Sequence, residues 1–436
     1  MASTPGPDGW PAGFHDRPDG WPAPTRRLTE QRWSVDAAIR KIGIDWDQGR
    51  TRYIGAAGAG AAEGDFARVR EAITKLADVE RVFGAGAAKR EAAARAALDA
   101  GHGVTACTHA FIAALLWGAA EWTFFLSPAA AGRARAYSER KAACFGLWAE
   151  RAPHPVRRLR IPYAEGTLSA ILHLPPGADA GAMVPAVVHV GGMDSFKEHA
   201  VAMFGDRYLQ RGIARLVFDG PGQGESIFEG AFVSRTNMVD AGLAALELLR
   251  AQPEIDAARL GISGVSFGSW WATQIAAEAD VRATAIWAAN HESGLHSIFE
   301  AAAPTFKARF MAMAGYTDED AFDAFARRWT LDDDAPRIEH PYLAIVGEDD
   351  ELSPIANTYR LLERIPGLRR LMVYRGERHS IGGGPAARLG PNPLDAAADW
   401  FADRFEERPF EQDVTVVETS GAFAVAPLEA WLAETR

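Results

Sequence analysis

The second part of the chain alternates short strand-like runs with helical blocks, and this alternation limits the fold more than any other feature. Eight runs rich in β-branched, aromatic and other apolar residues are Val156–Pro162, Leu168–Leu174, Ala186–Val190, Ala214–Phe218, Arg259–Ile262, Ala283–Ala288, Tyr342–Val346 and Arg370–Tyr374. The helical blocks are Lys197–Gln210, Asn237–Arg250, Phe267–Ala279, Ile355–Arg364 and Pro393–Phe405. A turn at Glu165-Gly166 predicts a hairpin of the first two runs, and the intervening helices predict that the later runs form a parallel sheet. Ligands of such sheets bind beyond the carboxyl ends of the strands, so functional residues are expected in the loops that follow them.

The first part of the chain is predicted to be helical. Apolar residues recur at spacings of three and four in Phe66–Val82, Ala88–Leu98, Val104–Leu126 and Ala129–Trp148. We therefore expect a helical domain over residues 31–152, a catalytic domain over residues 153–410 and a C-terminal extension over residues 411–436. Residues 1–30 repeat PDGWPA at Pro7–Ala12 and Pro18–Ala23. They are too rich in proline and glycine for a helix, so a mobile or extended tail is expected, with packing of Trp10 and Trp21 against a domain or a partner chain as the less favoured alternative.

Charge and cysteine content narrow the class of ligand. The formal net charge is −11, and no clustered basic patch is present that would bind a nucleic acid or an anionic membrane. A small molecule is therefore the expected partner. The two cysteines, Cys107 and Cys144, do not have the spacing of metal ligands, so they are interpreted as buried packing residues and no metal site is predicted. The N-terminus does not have the pattern of a secretory signal, which predicts a cytoplasmic location.

One apolar stretch, Phe111–Leu126, resembles a membrane span but is shorter than a bilayer crossing and carries Glu121. It is interpreted as a buried helix. An ionised carboxylate among apolar side chains needs a compensating partner. The favoured interpretation is that Glu121 bonds an arginine or a backbone donor; the alternative is that it contacts a substrate hydroxyl or carbonyl tautomer at the mouth of a pocket.

The strongest chemical signal is a G-x-S-x-G pattern, Gly264-Val265-Ser266-Phe267-Gly268, which lies between a predicted strand and a predicted helix. Strand, sharp turn and helix is the arrangement that exposes a nucleophilic serine at the head of a helix. The alternative is that Ser266 is an ordinary helix N-cap. The context favours Ser266 as a nucleophile.

A serine hydroxyl needs a base, and in this arrangement an acid and then a histidine follow along the chain. His379 lies in the loop after the last predicted strand. The loop after the preceding strand contains the acids Glu348, Asp349, Asp350 and Glu351. Position favours Asp350 as the residue that orients His379, with Asp349 as the alternative.

A tetrahedral intermediate also needs backbone donors for its oxyanion. One is expected to be the N–H of Phe267, directly after the nucleophile. The other is expected from the loop His189–Asp194, whose glycines allow close approach to a substrate; Met193 is the first choice and Gly192 the second. Asp194, in the same loop, is a candidate substrate contact.

Together, the segments Gly191–Glu198, Phe218–Glu225 and Gly264–Gly268, with Asp350 and His379, resemble one branch of the α/β-hydrolase family. This branch includes 2,6-dihydroxypseudooxynicotine hydrolase and fungal polyketide-shortening hydrolases. The resemblance implies an eight-stranded, mostly parallel α/β-hydrolase sheet with an N-terminal helical cap, frequent formation of homodimers and no cofactor. It also implies hydrolysis of a carbon–carbon bond next to a carbonyl in some members and of esters in others.

Three functions are compatible with these residues. The favoured one is a hydrolase of a ketone, ester or lactone in a small aromatic or polyketide-like molecule, acting through an acyl-enzyme. An acyltransferase or cyclase would use the same residues, with an alcohol replacing water. A non-catalytic binding protein is disfavoured because all three types of triad residue are present.

Overall fold

A computed structural model of the chain describes residues 25–164, 166–179 and 181–435. The PDGWPA repeat with Trp10 and Trp21, and Glu165 of the predicted turn, lie outside the described residues. The predicted tail is too long, because the first helix begins at Arg26. Thr25 caps this helix by accepting a hydrogen bond from the N–H of Leu28.

Among residues 25–155, six α-helices precede the first strand: α1 (Arg26–Ile42), α2 (Arg50–Ala56), α3 (Glu63–Ala72), α4 (Asp78–Asp99), α5 (Gly103–Glu121) and α6 (Pro128–Ala149). The single helix predicted over residues 66–82 is wrong, since α3 ends at Ala72 and α4 begins at Asp78. The side chain of Asp78 accepts hydrogen bonds from the N–H and hydroxyl of Thr74, which stabilises the break. Helices α4, α5 and α6 pack side by side, and both cysteines are buried in this layer, as predicted.

Helix α5 continues as a 3₁₀ helix over Trp122–Leu126. The stretch predicted over Phe111–Leu126 is part of a longer helical segment, Gly103–Leu126, which is long and apolar enough to cross a membrane, so the prediction from length is wrong. Of the 18-residue apolar window in this segment, 72% is buried inside the rest of the chain. This burial is typical of a core helix, as the sequence predicts for Phe111–Leu126.

The sheet contains the strands β1 (Val156–Tyr163), β2 (Gly166–His173), β3 (Val184–Val190), β4 (Ala214–Phe218), β5 (Ile255–Val265), β6 (Ala283–Trp287), β7 (Tyr342–Gly347), β8 (Arg369–Tyr374), β9 (Asp413–Val417) and β10 (Phe423–Pro427). Their order is β1-β2-β4-β3-β5-β6-β7-β8-β9-β10. The expected α/β-hydrolase sheet is confirmed, but the described part of the chain contributes ten strands to it instead of eight. The two additional strands belong to residues 411–436, which were predicted to be a C-terminal extension.

Strands β4, β3 and β5 to β9 pair in parallel, whereas β1, β2 and β10 pair antiparallel to their neighbours. The helices of this part are α7 (Arg207–Gln210), α8 (Gly224–Phe228), α9 (Asn237–Arg250), α10 (Phe267–Glu278), α11 (Pro304–Met313), α12 (Glu319–Ala326), α13 (Ala356–Arg364), α14 (Pro385–Leu389), α15 (Pro393–Phe405) and α16 (Leu428–Glu434). Alternate residues of the central strands face two apolar layers: Val187 packs with α7 and α15, and Val188 packs into the larger core.

Two further segments differ from the prediction. The helix expected over residues 197–210 is replaced by a 3₁₀ turn, Lys197–His199, and by the single turn α7. Gly205, with a φ of +88°, interrupts the helix, and Arg215 bonds the carbonyl of Ala200 inside the gap. The segment between β6 and β7, for which no helix was predicted, contains α11 and α12. Phe306 on α11 lines the same cavity as Ser266.

Candidate active site

Ser266 occupies a strained turn between β5 and α10. Its φ is +55° and its ψ is −130°, and its N–H bonds the carbonyl of Trp287 at 3.1 Å. A Cβ atom on Gly264 would lie 2.4 Å from the carbonyl oxygen of Gly268, and one on Gly268 would lie 2.2 Å from that of Val190. Both glycines are therefore required, as expected for a nucleophile turn.

The loops after β7 and β8 bring Asp350 and His379 to this serine. Nε2 of His379 lies 2.8 Å from Oγ of Ser266, and Nδ1 lies 2.8 Å from Oδ2 of Asp350. The other oxygen of Asp350 accepts hydrogen bonds from the N–H groups of Leu352 and Ser353, at 2.9 and 3.0 Å. The three side chains form a continuous hydrogen-bonded series in the order that a serine triad requires.

The four neighbouring acids have different positions. Asp350 is buried beside His379, whereas Asp349 is exposed. Glu351 accepts the backbone N–H of His379 at 3.1 Å, and Glu348 pairs with Arg375. The geometry therefore selects Asp350 rather than Asp349 as the residue that holds the imidazole.

His379 is 2% exposed, and two opposing effects act on its charge. Burial by itself lowers the pKa of His379, but the Asp350 carboxylate and its hydrogen bond raise it, and the net pKa lies above the ordinary value. An imidazole that gains a proton readily suits a base that must hold an imidazolium next to Ser266.

The loop after β3 approaches Ser266 closely. A Cβ atom on Gly192 would lie 2.9 Å from the Cβ of Ser266. The side-chain amide of Gln223 donates to the carbonyls of Gly191 and Gly192 at 3.0 and 2.8 Å, which orients the peptides of this loop. Met193, the predicted oxyanion donor, follows these glycines and is buried in the wall of the same cavity as Ser266.

Phe267, the other predicted oxyanion donor, is the first residue of α10 and is fully buried. Backbone N–H groups at the start of a helix lie at the positive end of the helix dipole. Such a group favours negative charge on an oxygen bound beside Ser266.

Asp194, a predicted candidate for substrate contact, lines the same cavity as Ser266 and also belongs to a buried ionic group that we call the arginine cluster (Asp47, Arg50, Asp194 and Arg309). Nε of Arg50 donates to Oδ2 of Asp194 at 2.9 Å, and Nε of Arg309 forms an ion pair with Oδ1 at 2.8 Å. Trp122 also donates to Oδ1 at 3.0 Å. Although burial by itself raises the pKa of Asp194, the two arginines lower it overall. Both carboxylate oxygens of Asp194 already have partners in the protein. A role for Asp194 in substrate contact stays a prediction.

The arginine cluster also contacts the backbone of the loop after β3, His189–Asp194, which we call the oxyanion loop after its predicted role. Nε of Arg309 donates to the carbonyl of Met193 at 3.2 Å, and Nη1 donates to the carbonyl of Trp122 at 2.8 Å. Arg50 comes from α2 and Arg309 from α11. The peptide that follows Met193 is therefore held by side chains from the helices that cover the site.

Glu121 lies in a second ionic group, the lysine cluster, which consists of Glu121, Lys141, Lys197, Glu198, Asp219 and Glu225. Nζ of Lys141 lies 2.9 Å from Glu121, and Lys141 is fully buried. The predicted arginine or backbone partner of Glu121 is therefore wrong, because the partner is a lysine. Glu121 lines a small second cavity and does not line the cavity that contains Ser266.

A cavity of about 350 Å³ connects the triad with the helical part. Ser266, His379 and Met193, which follow strands of the sheet, line it together with Tyr53 on α2 and Phe306 on α11. Most of its lining surface is apolar, which suits a small, largely apolar ligand. Within the described part of the chain, no group of three or more histidine, cysteine or acidic side chains is placed to hold a metal ion.

Comparison with known proteins gives the family. The profile described as "Esterase FrsA-like" matches residues 89–361. The chain belongs to the FrsA-like esterase family. The match includes Ser266 and Asp350 and ends before His379. The protein is thus a hydrolase of the α/β type.

Similar proteins agree with this family. "Alpha/beta hydrolase xenA" of Xenoacremonium sinensis is 28% identical over 292 residues, which are 64% of this chain and 67% of that protein. "Hydrolase ORFZ" of Pyricularia oryzae is 33% identical over 159 residues, which are 35% of this chain and only 38% of that protein. The similarity to fungal hydrolases expected from the motifs is confirmed.

Solved structures agree with the fold. The crystal structure of 2,6-dihydroxy-pseudo-oxynicotine hydrolase has a TM-score of 0.66 and 22% identity, and covers 82% of this chain and 95% of that one. "AbyA5 Wildtype" has a TM-score of 0.58 and 20% identity, and covers 94% of this chain and 99% of that one. At such identities the likeness applies to the fold alone, which extends through the helical part.

Proposed function

We propose that this protein hydrolyses an ester or ketone of a small, largely apolar molecule through an acyl-enzyme on Ser266. The observation that carries the proposal is the series of hydrogen bonds from Ser266 through His379 to Asp350, in which the serine has a strained backbone and faces a cavity. A helix N-cap would need neither the buried imidazole nor the carboxylate behind it.

In the first half-reaction, Oγ of Ser266 attacks the carbonyl carbon while Nε2 of His379 takes the hydroxyl proton. The N–H groups of Phe267 and Met193 stabilise the oxyanion of the tetrahedral intermediate. The intermediate collapses by breaking the bond to the leaving group, which takes the electron pair. The imidazolium of His379, stabilised by Asp350, then protonates the leaving alkoxide or carbanion.

In the second half-reaction, water attacks the acyl carbon and gives a proton to His379. Collapse of the second intermediate breaks the bond to Oγ of Ser266, which regains a proton from the imidazolium. The products are a carboxylic acid and an alcohol from an ester, or a carboxylic acid and a shortened ketone from a diketone. Carbon–carbon cleavage needs a leaving carbanion that a second carbonyl or an electron-poor ring stabilises.

A second candidate is an acyltransferase or cyclase with the same triad. The burial of His379 and the helices over the cavity favour this candidate, because limited access of water gives an alcohol a better chance to take the acyl group. Product analysis with and without an added alcohol separates the two. Hydrolysis gives the free acid in both cases, whereas transfer gives a new ester when alcohol is present.

The main test is Ser266→Ala, assayed on phenyl esters and on 1-phenylbutane-1,3-dione, with Ser34→Ala on α1 as the matched control. We expect Ser266→Ala to lose at least about a thousandfold in kcat on whichever substrate is turned over, with an unchanged melting temperature. The control should keep full activity, since Ser34 does not line the cavity. Retention of a tenth of the activity by Ser266→Ala would remove Ser266 from the mechanism.

A further inference from the structure

Gln223 is a buried residue of the loop after β4, and its side chain reaches the oxyanion loop. It is 2% exposed and lines the same cavity as Ser266. Its Oε1 accepts the N–H of Gly220 at 3.1 Å, and its backbone N–H donates to the carbonyl of Gly220 at 2.9 Å. Its Nε2 donates to the carbonyls of Gly191 and Gly192, at 3.0 and 2.8 Å. Both ends of the amide have partners, so the side chain is held in one orientation.

The two carbonyls that Gln223 binds belong to the peptides that carry the candidate oxyanion donors. The carbonyl of Gly192 shares a peptide with the N–H of Met193, and the carbonyl of Gly191 shares a peptide with the N–H of Gly192. No peptide bond among the described residues is cis, and in a planar trans peptide the C=O and the N–H point in opposite directions. Gln223 therefore turns both N–H groups away from itself.

These two N–H groups lie close to the nucleophile and have no partner in the described part of the chain. A Cβ atom on Gly192 would lie 3.4 Å from Oγ of Ser266, and both Gly192 and Met193 line the cavity. Within residues 25–164, 166–179 and 181–435, neither N–H donates to another group. Unpaired backbone donors beside a nucleophilic serine are what a developing oxyanion needs. The peptides are thus held through their carbonyls, and their N–H groups stay available to a ligand.

Arg309 holds a different peptide of the same loop. Its Nε donates to the carbonyl of Met193, which shares a peptide with the N–H of Asp194. Arg309 therefore restrains the loop one peptide further along the chain. The orientation of the candidate oxyanion donors depends first on Gln223, which holds both of their peptides.

We propose that Gln223 is a positioning residue that aims the N–H groups of the oxyanion loop at the oxyanion of the tetrahedral intermediate. This assignment rests on the proposed function, and it holds whether Met193 or Gly192 is the donor. Gln223 acts through the loop and transfers no proton. Its contribution grows when the carbonyl oxygen gains negative charge, so a substitution should lower kcat and leave KM nearly unchanged.

The test compares two competitive inhibitors that differ in whether they form an oxyanion. The compound 1,1,1-trifluoro-4-phenylbutan-2-one adds to a nucleophilic serine and forms a tetrahedral oxyanion, whereas 4-phenylbutan-2-one binds as the intact ketone. In Gln223→Met we expect the inhibition constant of the trifluoro ketone to rise about a hundredfold and that of the plain ketone to change less than about threefold. The kcat on phenyl butanoate should fall by about a hundredfold at a nearly constant KM.

The matched control is Gln252→Met. The amide of Gln252 also donates to a backbone carbonyl, that of Leu248 at 3.0 Å, but Gln252 does not line the cavity. This variant should keep the kcat and both inhibition constants of the wild type. A second test variant, Gln223→Glu, keeps the shape of the side chain and the acceptor for the N–H of Gly220 but loses the two donors, so it should show the same selective loss.

Two results overturn the assignment. One is a folded Gln223 variant that binds the trifluoro ketone as tightly as the wild type does. The other is an equal loss of affinity for both ketones, with or without a lower melting temperature, which would make Gln223 purely structural. Failure of the proposed function gives a different result, since the wild type would then bind both ketones equally and Ser266→Ala would still hydrolyse phenyl butanoate.

Discussion

The two sides of the cavity are built by different means. On the sheet side, strand ends and tight turns place Ser266, Asp350 and His379, and hydrogen bonds over short stretches of backbone hold them. On the helix side, buried ion pairs hold the layer to the sheet, through the arginine cluster and the lysine cluster. The sheet side thus holds the proposed triad through local backbone contacts, whereas the helix side is held by ion pairs between distant parts of the chain.

The two ionic clusters also differ from each other. The arginine cluster contains two acids and two bases, and it bonds the carbonyl of Met193 in the oxyanion loop. The lysine cluster contains four acids and two lysines and does not include a residue of the triad or the oxyanion loop. We therefore expect damage to the first cluster to change both kcat and stability, and damage to the second to change stability alone.

The largest effect is expected on the sheet side, from Asp350→Asn. The variant loses the charge that stabilises the imidazolium and fixes its tautomer, so kcat should fall by about ten-thousandfold. Asp349→Asn, with an exposed side chain, is the control and should stay near wild-type activity. Steady-state kinetics on one ester give the kcat of both variants. A larger loss of kcat in Asp349→Asn than in Asp350→Asn would show that Asp349 orients His379.

The next effect is expected at the junction of the two sides, from Arg309→Met. Without Arg309 the carbonyl of Met193 loses a donor, so the oxyanion loop is less well oriented and kcat should fall by about a hundredfold with little change in KM. Arg309→Lys should recover part of the loss. The control is Arg328→Met, since Arg328 is exposed and also lies between β6 and β7; this variant should keep the kcat and KM of the wild type. A raised KM with unchanged kcat would separate the arginine cluster from catalysis.

A change in stability rather than in rate is expected from Lys141→Met. The substitution removes the buried ammonium group that forms ion pairs with the carboxylates of Glu121 and Glu198. Breaking a buried ion pair costs about 3 kcal/mol in the free energy of unfolding. Urea unfolding measures the loss, with the exposed Lys89→Met as control. Below its unfolding temperature the variant should keep kcat within about threefold of the wild type. A kcat as low as that of Arg309→Met would show that both clusters serve catalysis.

The smallest effect is expected from Glu121→Gln, and it depends on pH. Burial, against the opposing effect of Lys141, raises the pKa of Glu121, and Asp219 and Glu198 add to the rise. A carboxyl whose pKa is higher in the folded state binds more protons there, so its contribution to stability falls as the pH rises from its ordinary value of about 4.3 to its folded value. The wild type should lose stability relative to Glu121→Gln over this window in urea unfolding. A difference that is constant or rises with pH would contradict the raised pKa.

The sheet side could be predicted from the sequence because its signals are local. Gly264–Gly268 contains both the strained serine and the glycines that its turn requires, and His379 follows its strand within a few residues. The four adjacent acids of the Asp350 loop differ only in which one turns inward. Position in the loop favoured Asp350, and burial separates it from the exposed Asp349.

The helix side could not be predicted because its contacts join distant parts of the chain. Arg50 and Asp194 are 144 residues apart, and Arg309 and Met193 are 116 apart. The sequence around Arg50 and around Arg309 does not differ from the sequence around an arginine on the protein surface. Helix α11 was also missed, and Gln223 entered only as part of the Phe218–Glu225 resemblance, although its amide donates to the carbonyls of both Gly191 and Gly192.

The central claim is that Ser266 is the nucleophile, and covalent labelling tests it most directly. The protein is treated with a fluorophosphonate, which reacts with activated serines, and the adduct is located by mass spectrometry of peptides. We expect one adduct per chain on Ser266, none in Ser266→Ala, and much slower labelling in Asp350→Asn because the base is no longer oriented. An adduct on another serine, or turnover of an ester by a protein that the reagent does not label, would contradict the account.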